Sequence, residues 1–338
     1  MMHKGTNVIL VLVLITLLMA ACGKPPEATQ AATQAASQVA TQVAATPTAS
    51  LNGTITVSGA FALYPMMTVW AQEFQKVNPE VQFDISAGGA GKGMTDTLSG
   101  AVDIGMVSRA VKPEEEAQGA FAVGVVKDAV FAVVNANNPV IVDIMTKGIT
   151  KETFAKIFIT GEIKSWGDVV GKPEITDAIH VYTRSDAAGA ADVWAQYLGG
   201  KGQADLQGIG VNGDPGLLTA VVNDPLGIGY NNLGYAFDQT TVAPPSGAKV
   251  IPIDVNENGT ADPDEILTTL AGATAAVANG RYPSPPGRVL NLVTKEKPSG
   301  LVQAFIVWIL TDGQKFIPET GFIQLSPDLI ADALTKVK

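Results

Sequence analysis

Three short stretches place small residues where an apolar run gives way to a helix-like one: "SGAFALYP" at Ser58–Pro65, "SAGGAGKGM" at Ser86–Met94 and "YTRSDAAGAADVW" at Tyr182–Trp194. Four glycines and two alanines in the nine residues of the second stretch strip that bend of side chains. A ligand can then approach the backbone closely, next to the free N–H groups and positive dipole end of the following helix. An anion is the visitor such a place favours. The third stretch adds a guanidinium, Arg184, with Asp186 two residues on to orient it. Three backbone nests and one forked donor suit a tetrahedral oxyanion that has shed its water.

A second constellation lies in "DVNENGTADPDE", where Asp254, Asn256, Asn258, Thr260, Asp262 and Glu265 stand at positions 1, 3, 5, 7, 9 and 12, with Gly259 sixth. That is the spacing of an EF-hand loop, so a structural calcium ion is expected there, with Thr260 contributing its carbonyl and Glu265 both oxygens. The same residues support another use. Asp262 can cap a helix, with Pro263 in its first turn and Glu265 closing a capping box. No constellation for covalent or metal-assisted catalysis accompanies these two. His180 is the only histidine beyond position 3 and Cys22 the only cysteine, and no serine triad, zinc-ligand cluster or paired-carboxylate motif is present. No cofactor is expected for activity.

The anion-suited stretches need elements to hold them. "TITVSG", "VQFDIS" and "VDIGMVS" read as strands, alternating with a helix from Pro65 and a short helix ending at Leu98. Such alternation implies a parallel α/β sheet with ligands at the strand ends. "FAVGVVKDAVFAVVN" reads as two strands. A second α/β stretch follows: a helix from Thr150, the strand His180–Arg184, a helix through Trp194, a helix opened by "NGDPG" and the strand "GIGY". "VLNLVTK" and the apolar helix "GLVQAFIVWIL" close the chain, expected to return to the first half.

The 338 residues carry a net charge of −10, which argues against nucleic acid or an anionic membrane surface as the main partner. Residues 1–21 read as a secretory signal, with one lysine and an apolar run from Val8 to Met19 too short for a comfortable membrane span. "LMAAC" resembles the lipobox of bacterial lipoproteins, which makes Cys22 the expected lipidation site. Residues 22–50, rich in Ala, Thr and Gln and nearly uncharged, read as the anchor and a disordered tether reaching on the order of 30 Å.

With "VDIGMVSR", "GIGY" and "GRYPSPPGRVLNLVTK" added to the three stretches, residues 53–326 resemble the phosphate-binding protein of the bacterial high-affinity phosphate ABC transporter. The resemblance implies a type II periplasmic-binding-protein fold: two α/β lobes, residues 51–133 with 288–338 and residues 134–287, joined by crossover hinge strands. It implies an extracytoplasmic, lipid-anchored, monomeric protein that captures phosphate between its lobes and delivers it to an ABC permease, and that is not an enzyme. Its ligand contacts fall on Ala60, Leu63, Tyr64, Ala90, Gly91, Ser108, Arg184, Asp186, Ala188, Gly189 and Ala190. One departure stands out. Where the family usually offers Ser or Thr, this chain has Ala60, Ala62, Ala90, Ala188 and Ala190. A hydrogen bond to a charged group is worth about 1.5–3 kcal/mol, so three lost without replacement would weaken binding by roughly three to six orders of magnitude. Lys92, Arg109, Tyr64 and Ser86 are the nearby groups able to compensate, and another oxyanion, or a phosphate-sensing or hydrolytic surface role without transport, is the alternative.

Overall fold

In the computed structural model, which describes residues 51–338, the strand–helix alternation takes the parallel form expected of it. Strand β1 (Gly53–Gly59) lies between β2 (Val81–Ala87) and β3 (Ile104–Val107), parallel to both. Helix α1 (Tyr64–Val77) follows β1 with Pro65 in its first turn, and α2 (Ala90–Ser99) follows β2 and ends on Gly100 at φ 76°. All four residues of β3 are buried, as an inner strand covered on both faces requires.

The segment read as two strands is a single one, β4 (Ala120–Asn135), with a register shift between Gly124 and Val126. From Ala129 to Val134 this sixteen-residue strand is apolar and buried on both faces, so one continuous strand can serve two successive cores. Four short strands follow, β5 (His180–Arg184), β6 (Ile209–Val211), β7 (Gly227–Asn232) and β8 (Ala248–Val250), and β9 (Gly287–Lys295) returns. The order across the sheet is β2-β1-β3-β9-β4-β7-β5-β6, with β8 also paired to β4. Strand β9 runs antiparallel to both β3 and β4, and β4 antiparallel to β7.

Two hydrophobic clusters form on this frame. One gathers Trp70, Phe74, Met106, Val126, Leu290 and Phe305, and receives Ala333 and Val337 from the C-terminal helix Pro327–Val337. The other gathers Phe131, Phe154, Phe158, Trp166, Trp194 and Tyr230, in which Trp194 stacks on Tyr230 at 5.9 Å between ring centroids and meets Phe154 edge-on at 5.3 Å. Strand β4 leaves the first cluster at Val126 and enters the second at Ala129. Lys127 and Asp128 therefore sit where the chain crosses over, and Arg288 pairs in register with Asp128 on the returning β9. Among the described residues, no helix is long and apolar enough to cross a membrane.

The Gly-rich bend is set by backbone crowding. Gly59, at φ 133°, has the Met106 carbonyl oxygen 2.3 Å from where a Cβ would stand. A Cβ on Gly93 would lie 2.7 Å from that same oxygen, 2.8 Å from the Gly59 Cα and 2.9 Å from the Ser58 carbonyl oxygen. Helix α2 can thus lie directly on β1 and β3 only without a side chain at Gly93. Backbone cannot yield as a flexible side chain does, so Gly93→Ala should lower stability in urea titration by about 1–3 kcal/mol, without changing secondary-structure content.

Candidate functional site

Arg184, the last residue of β5, is buried, with a side chain only 2% exposed. Its Nε donates to Asp186 Oδ1 at 2.8 Å and its Nη2 to Asp186 Oδ2 at 2.5 Å, a forked pair. The Nη1 donates to Asp214 Oδ2 at 2.5 Å. Burial opposes the charge, but Asp214 and Asp186 outweigh it and the guanidinium is held above its ordinary pKa. The Phe61 ring packs against it at 5.3 Å from its centroid. Asp186 Oδ1 also accepts from the Gly213 N–H at 2.9 Å, which fixes the entry to the helix Gly213–Asn223.

Asp214 is fully buried and satisfied: Oδ1 accepts from the Asn232 N–H at 3.0 Å and the Asn232 Nδ2 at 2.7 Å. Asn232 in turn accepts, through Oδ1, from Arg288 Nη2, which also reaches Asp128 Oδ2 at 3.1 Å. Burial lifts the Asp128 carboxyl to about 6, even though Arg288 and the backbone N–H groups of Ala129 and Leu233 pull it down. Burial likewise lowers Arg288, against the pull of Asp128 and Asp214. Two arginines and three aspartates thus run from the end of β5 to the crossover strands.

The other stretches meet this arginine site from the far side. The Gly91 N–H, in the first turn of α2, donates to the Ala187 carbonyl at 2.9 Å. A Cβ on Gly89 would stand 2.6 Å from Asp186 Oδ2, and one on Gly189 would stand 2.4 Å from Ser108 Oγ. Ala90 and Gly91 open α2 and meet Ala187, in the loop ahead of the helix Gly189–Tyr197, while Gly189 at the start of that helix meets Ser108 just after β3. Such first turns present N–H groups with no intrahelical acceptor. Around them, the Ala60 N–H is taken by the Met106 carbonyl, the Leu63 N–H by that of Ala60, the Tyr64 N–H by that of Phe61, and the Ala188 N–H by Gln203 Oε1.

A model of the PBP superfamily domain matches residues 29–313. The chain belongs to the PBP superfamily. Among curated proteins, the phosphate-binding protein PstS of Bacillus subtilis is 28% identical over 71% of this chain and 75% of its own length. That of Methanocaldococcus jannaschii is 27% identical over 84% and 86%. Among solved structures, a Clostridium perfringens protein assigned as a phosphate ABC transporter substrate-binding protein, with bound phosphate, aligns with a TM-score of 0.65 at 24% identity over 81% of this chain and all of that one. An ABC-type phosphate transport receptor from Vibrio cholerae aligns at 0.58 and 21% identity over the same shares. These likenesses carry the type II PBP fold, as the sequence resemblance implied.

Within this PBP chain, three expected compensators are engaged elsewhere. Arg109 is buried, binds Glu115 with Nη1 and Nη2 at 2.8 and 2.6 Å, and lies 3.4 Å from Asp192, so its charge is spent inside the fold. Lys92 pairs with Asp96 one turn along α2. Ser86 Oγ reaches only the Val57 carbonyl, at 3.5 Å.

The calcium expectation at Asp254, Asn256, Asn258, Thr260, Asp262 and Glu265 finds no support in the side-chain arrangement. Glu265 Oε2 accepts from the Asp262 N–H at 3.0 Å and Oε1 from the Val255 N–H at 2.8 Å, the capping use of the motif. Asp254 accepts from the N–H groups of Asn258 and Gly259, and Asn256 and Asn258 turn their Nδ2 donors, rather than oxygens, toward Asp262. A hard cation needs converging oxygens, and here the amides present hydrogens. Among the described residues, no group of three or more His, Cys, Asp or Glu is arranged to hold a metal. Cys22 and the tether lie outside the described residues.

Sequence reasoning missed Asp214, Asn232, Asp128 and Arg288. Asp214 was hidden in "NGDPG", read only as a helix start, and the two asparagines directly after "GIGY" were the available signal. A carboxyl whose pKa is higher folded than unfolded holds its proton more tightly in the native state. The cost of ionising Asp128 is therefore present in full above pH 6 and relieved as pH falls toward its ordinary value near 4, by on the order of 3 kcal/mol. Urea titrations should show wild type gaining stability relative to Asp128→Asn between pH 7 and pH 4.5. A pH-independent difference would mean that Asp128 titrates normally.

Proposed function

We propose that the chain is the extracytoplasmic solute-binding component of an ABC phosphate transporter, a monomer that closes its lobes on inorganic phosphate and passes it to a permease. The names borne by its relatives support that substrate. The observation that carries the reading is the close approach of the α2 N-terminus and of Ser108 to the segment that follows the carboxylate-held Arg184, with Gly91 against Ala187 and Gly189 against Ser108. Backbone N–H groups and one oriented guanidinium supply donors without any hydroxyl, which accommodates the alanines at 60, 62, 90, 188 and 190. Phosphate would take the place of the Ala187 carbonyl as acceptor at Gly91. Ligand contacts from both sides then make affinity and closure one equilibrium. The lobes divide near Asp128 on β4 and near Arg288 on β9, where the two hydrophobic clusters separate.

The absent hydroxyls favour a second reading within the same fold, a different or larger oxyanion. A surface hydrolase would instead release phosphate from an ester such as p-nitrophenyl phosphate, and none is expected. Calorimetry on ligand-stripped protein should show phosphate binding, with sulfate much weaker. Arg184→Ala should cost about 2–5 kcal/mol of that affinity, with Arg184→Lys between the two if the fold needs a cation there. No heat with phosphate, together with heat from a larger anion, would retain the fold and replace the substrate.

The lipobox-like "LMAAC" supports an anchor at Cys22, ahead of the described residues 51–338. Cys22→Ser should move the protein from the membrane to the soluble fraction. Equal membrane retention in the variant would refute lipidation there.

A further inference from the structure

The buried charges do not stop at the anion site. Arg288 is fixed by a single nitrogen: Nη2 serves both Asn232 Oδ1 and Asp128 Oδ2, while Nε and Nη1 are buried with no hydrogen-bond partner. A guanidinium holding only an ion pair would turn its fork to the carboxylate, as Arg184 does with Asp186 and Arg109 with Glu115. Arg288 instead leaves buried donors unmet and spends its one engaged nitrogen on both an amide and an acid, an arrangement that calls for a reason.

The reason offered by the geometry is what Asn232 does next. With its oxygen occupied by Arg288, the amide must present Nδ2 on its other side, and Nδ2 donates to Asp214 Oδ1 at 2.7 Å. The second Asp214 oxygen, Oδ2, is thereby left to Arg184 Nη1 at 2.5 Å. Asp128 belongs to β4 and Arg288 to β9, paired in register at the crossover, and Asp128 Oδ1 also accepts from the Leu233 N–H at 3.2 Å. We propose that Arg288 is a positioning residue for Arg184, acting through Asn232 and Asp214, so that the crossover strands and the anion-facing guanidinium move as one unit; this rests on the anion-capture reading above. Rotation at the crossover is then carried through the relay to Arg184, which couples closure to capture at the guanidinium itself.

The test compares Arg288→Gln, Arg288→Lys and Asn232→Ala, the last of which cuts the relay while keeping both arginines and all three aspartates. Phosphate affinity is measured by calorimetry at a temperature where circular dichroism shows each protein fully folded, so that lost stability alone does not alter the reading. In parallel, the interlobe distance is measured by spin labels at Val77 and Val142, which are 65% and 75% exposed, in a Cys22→Ser background. Arg288→Gln and Asn232→Ala should each weaken phosphate binding at least tenfold and lengthen the ligand-free distance, with Arg288→Lys closer to wild type. Wild-type affinity in either folded variant overturns the proposal, whatever the distance does. If Arg288→Gln does not fold, Asn232→Ala decides. If wild type itself gives no heat with phosphate, the anion reading has failed separately and the distance alone decides: a longer distance in the variants supports the relay, and an unchanged one overturns it.

Discussion

Burying Arg184 is the constraint from which the arrangement of the site follows. A guanidinium taken out of water must have its charge and donors met by the fold, since an unpaired buried ion costs several kcal/mol. Asp186 meets one edge from the same loop, and Asp214 meets the other from a different element. Asp214 must then be satisfied itself, which draws in the backbone and side chain of Asn232, and Asn232 draws in Arg288 and Asp128. One buried charge thus organises a network that ends where the two hydrophobic clusters separate. The cost of dehydrating this set is visible in Asp128, lifted to about 6 chiefly by burial, with Asp214 adding to it, against its own cation.

Glycine makes the complementary contribution by letting backbone meet backbone. At Gly89, Gly91 and Gly189 the two halves of the molecule touch with no room for a methyl group. The same absence of side chains that exposes N–H groups to an anion also allows them to be met by a carbonyl of the opposite loop, as Gly91 is by Ala187. Alanine in place of hydroxyl residues fits that close approach. It removes side-chain donors, and it leaves the donors of the backbone, whose positions the helix starts fix.

Motifs that read well as local patterns could serve two uses, and the neighbours seen in the structure engage them in one. "DVNENGTADPDE" satisfies the spacing of a cation loop and of a helix cap, and its oxygens are occupied by the N–H groups of a capped turn. Arg109, one residue beyond an expected ligand contact, faces Glu115 and Asp192 instead. In both cases the residue types were right for the chemistry considered, and the neighbours that spent them could not be placed from spacing alone.

The sequence by itself determined the elements and the loops between them. Apolar runs of strand length alternating with helix signals specified β1, α1, β2 and α2 to within a residue or two, and the Gly-rich bends marked the strand ends, because periodicity and backbone freedom are local properties. Arg184 and Asp186 were legible for the same reason, standing two residues apart. The tertiary structure decided what lies opposite them. Asp214 is thirty residues from Arg184, and Arg288 is 160 from Asp128, separations over which no pattern specifies a pairing. It decided too that β4 is one strand rather than two, since two apolar runs flanking Lys127 and Asp128 read the same whether the chain breaks between them or runs on, and only the partners β9 and β7 on successive halves hold it continuous.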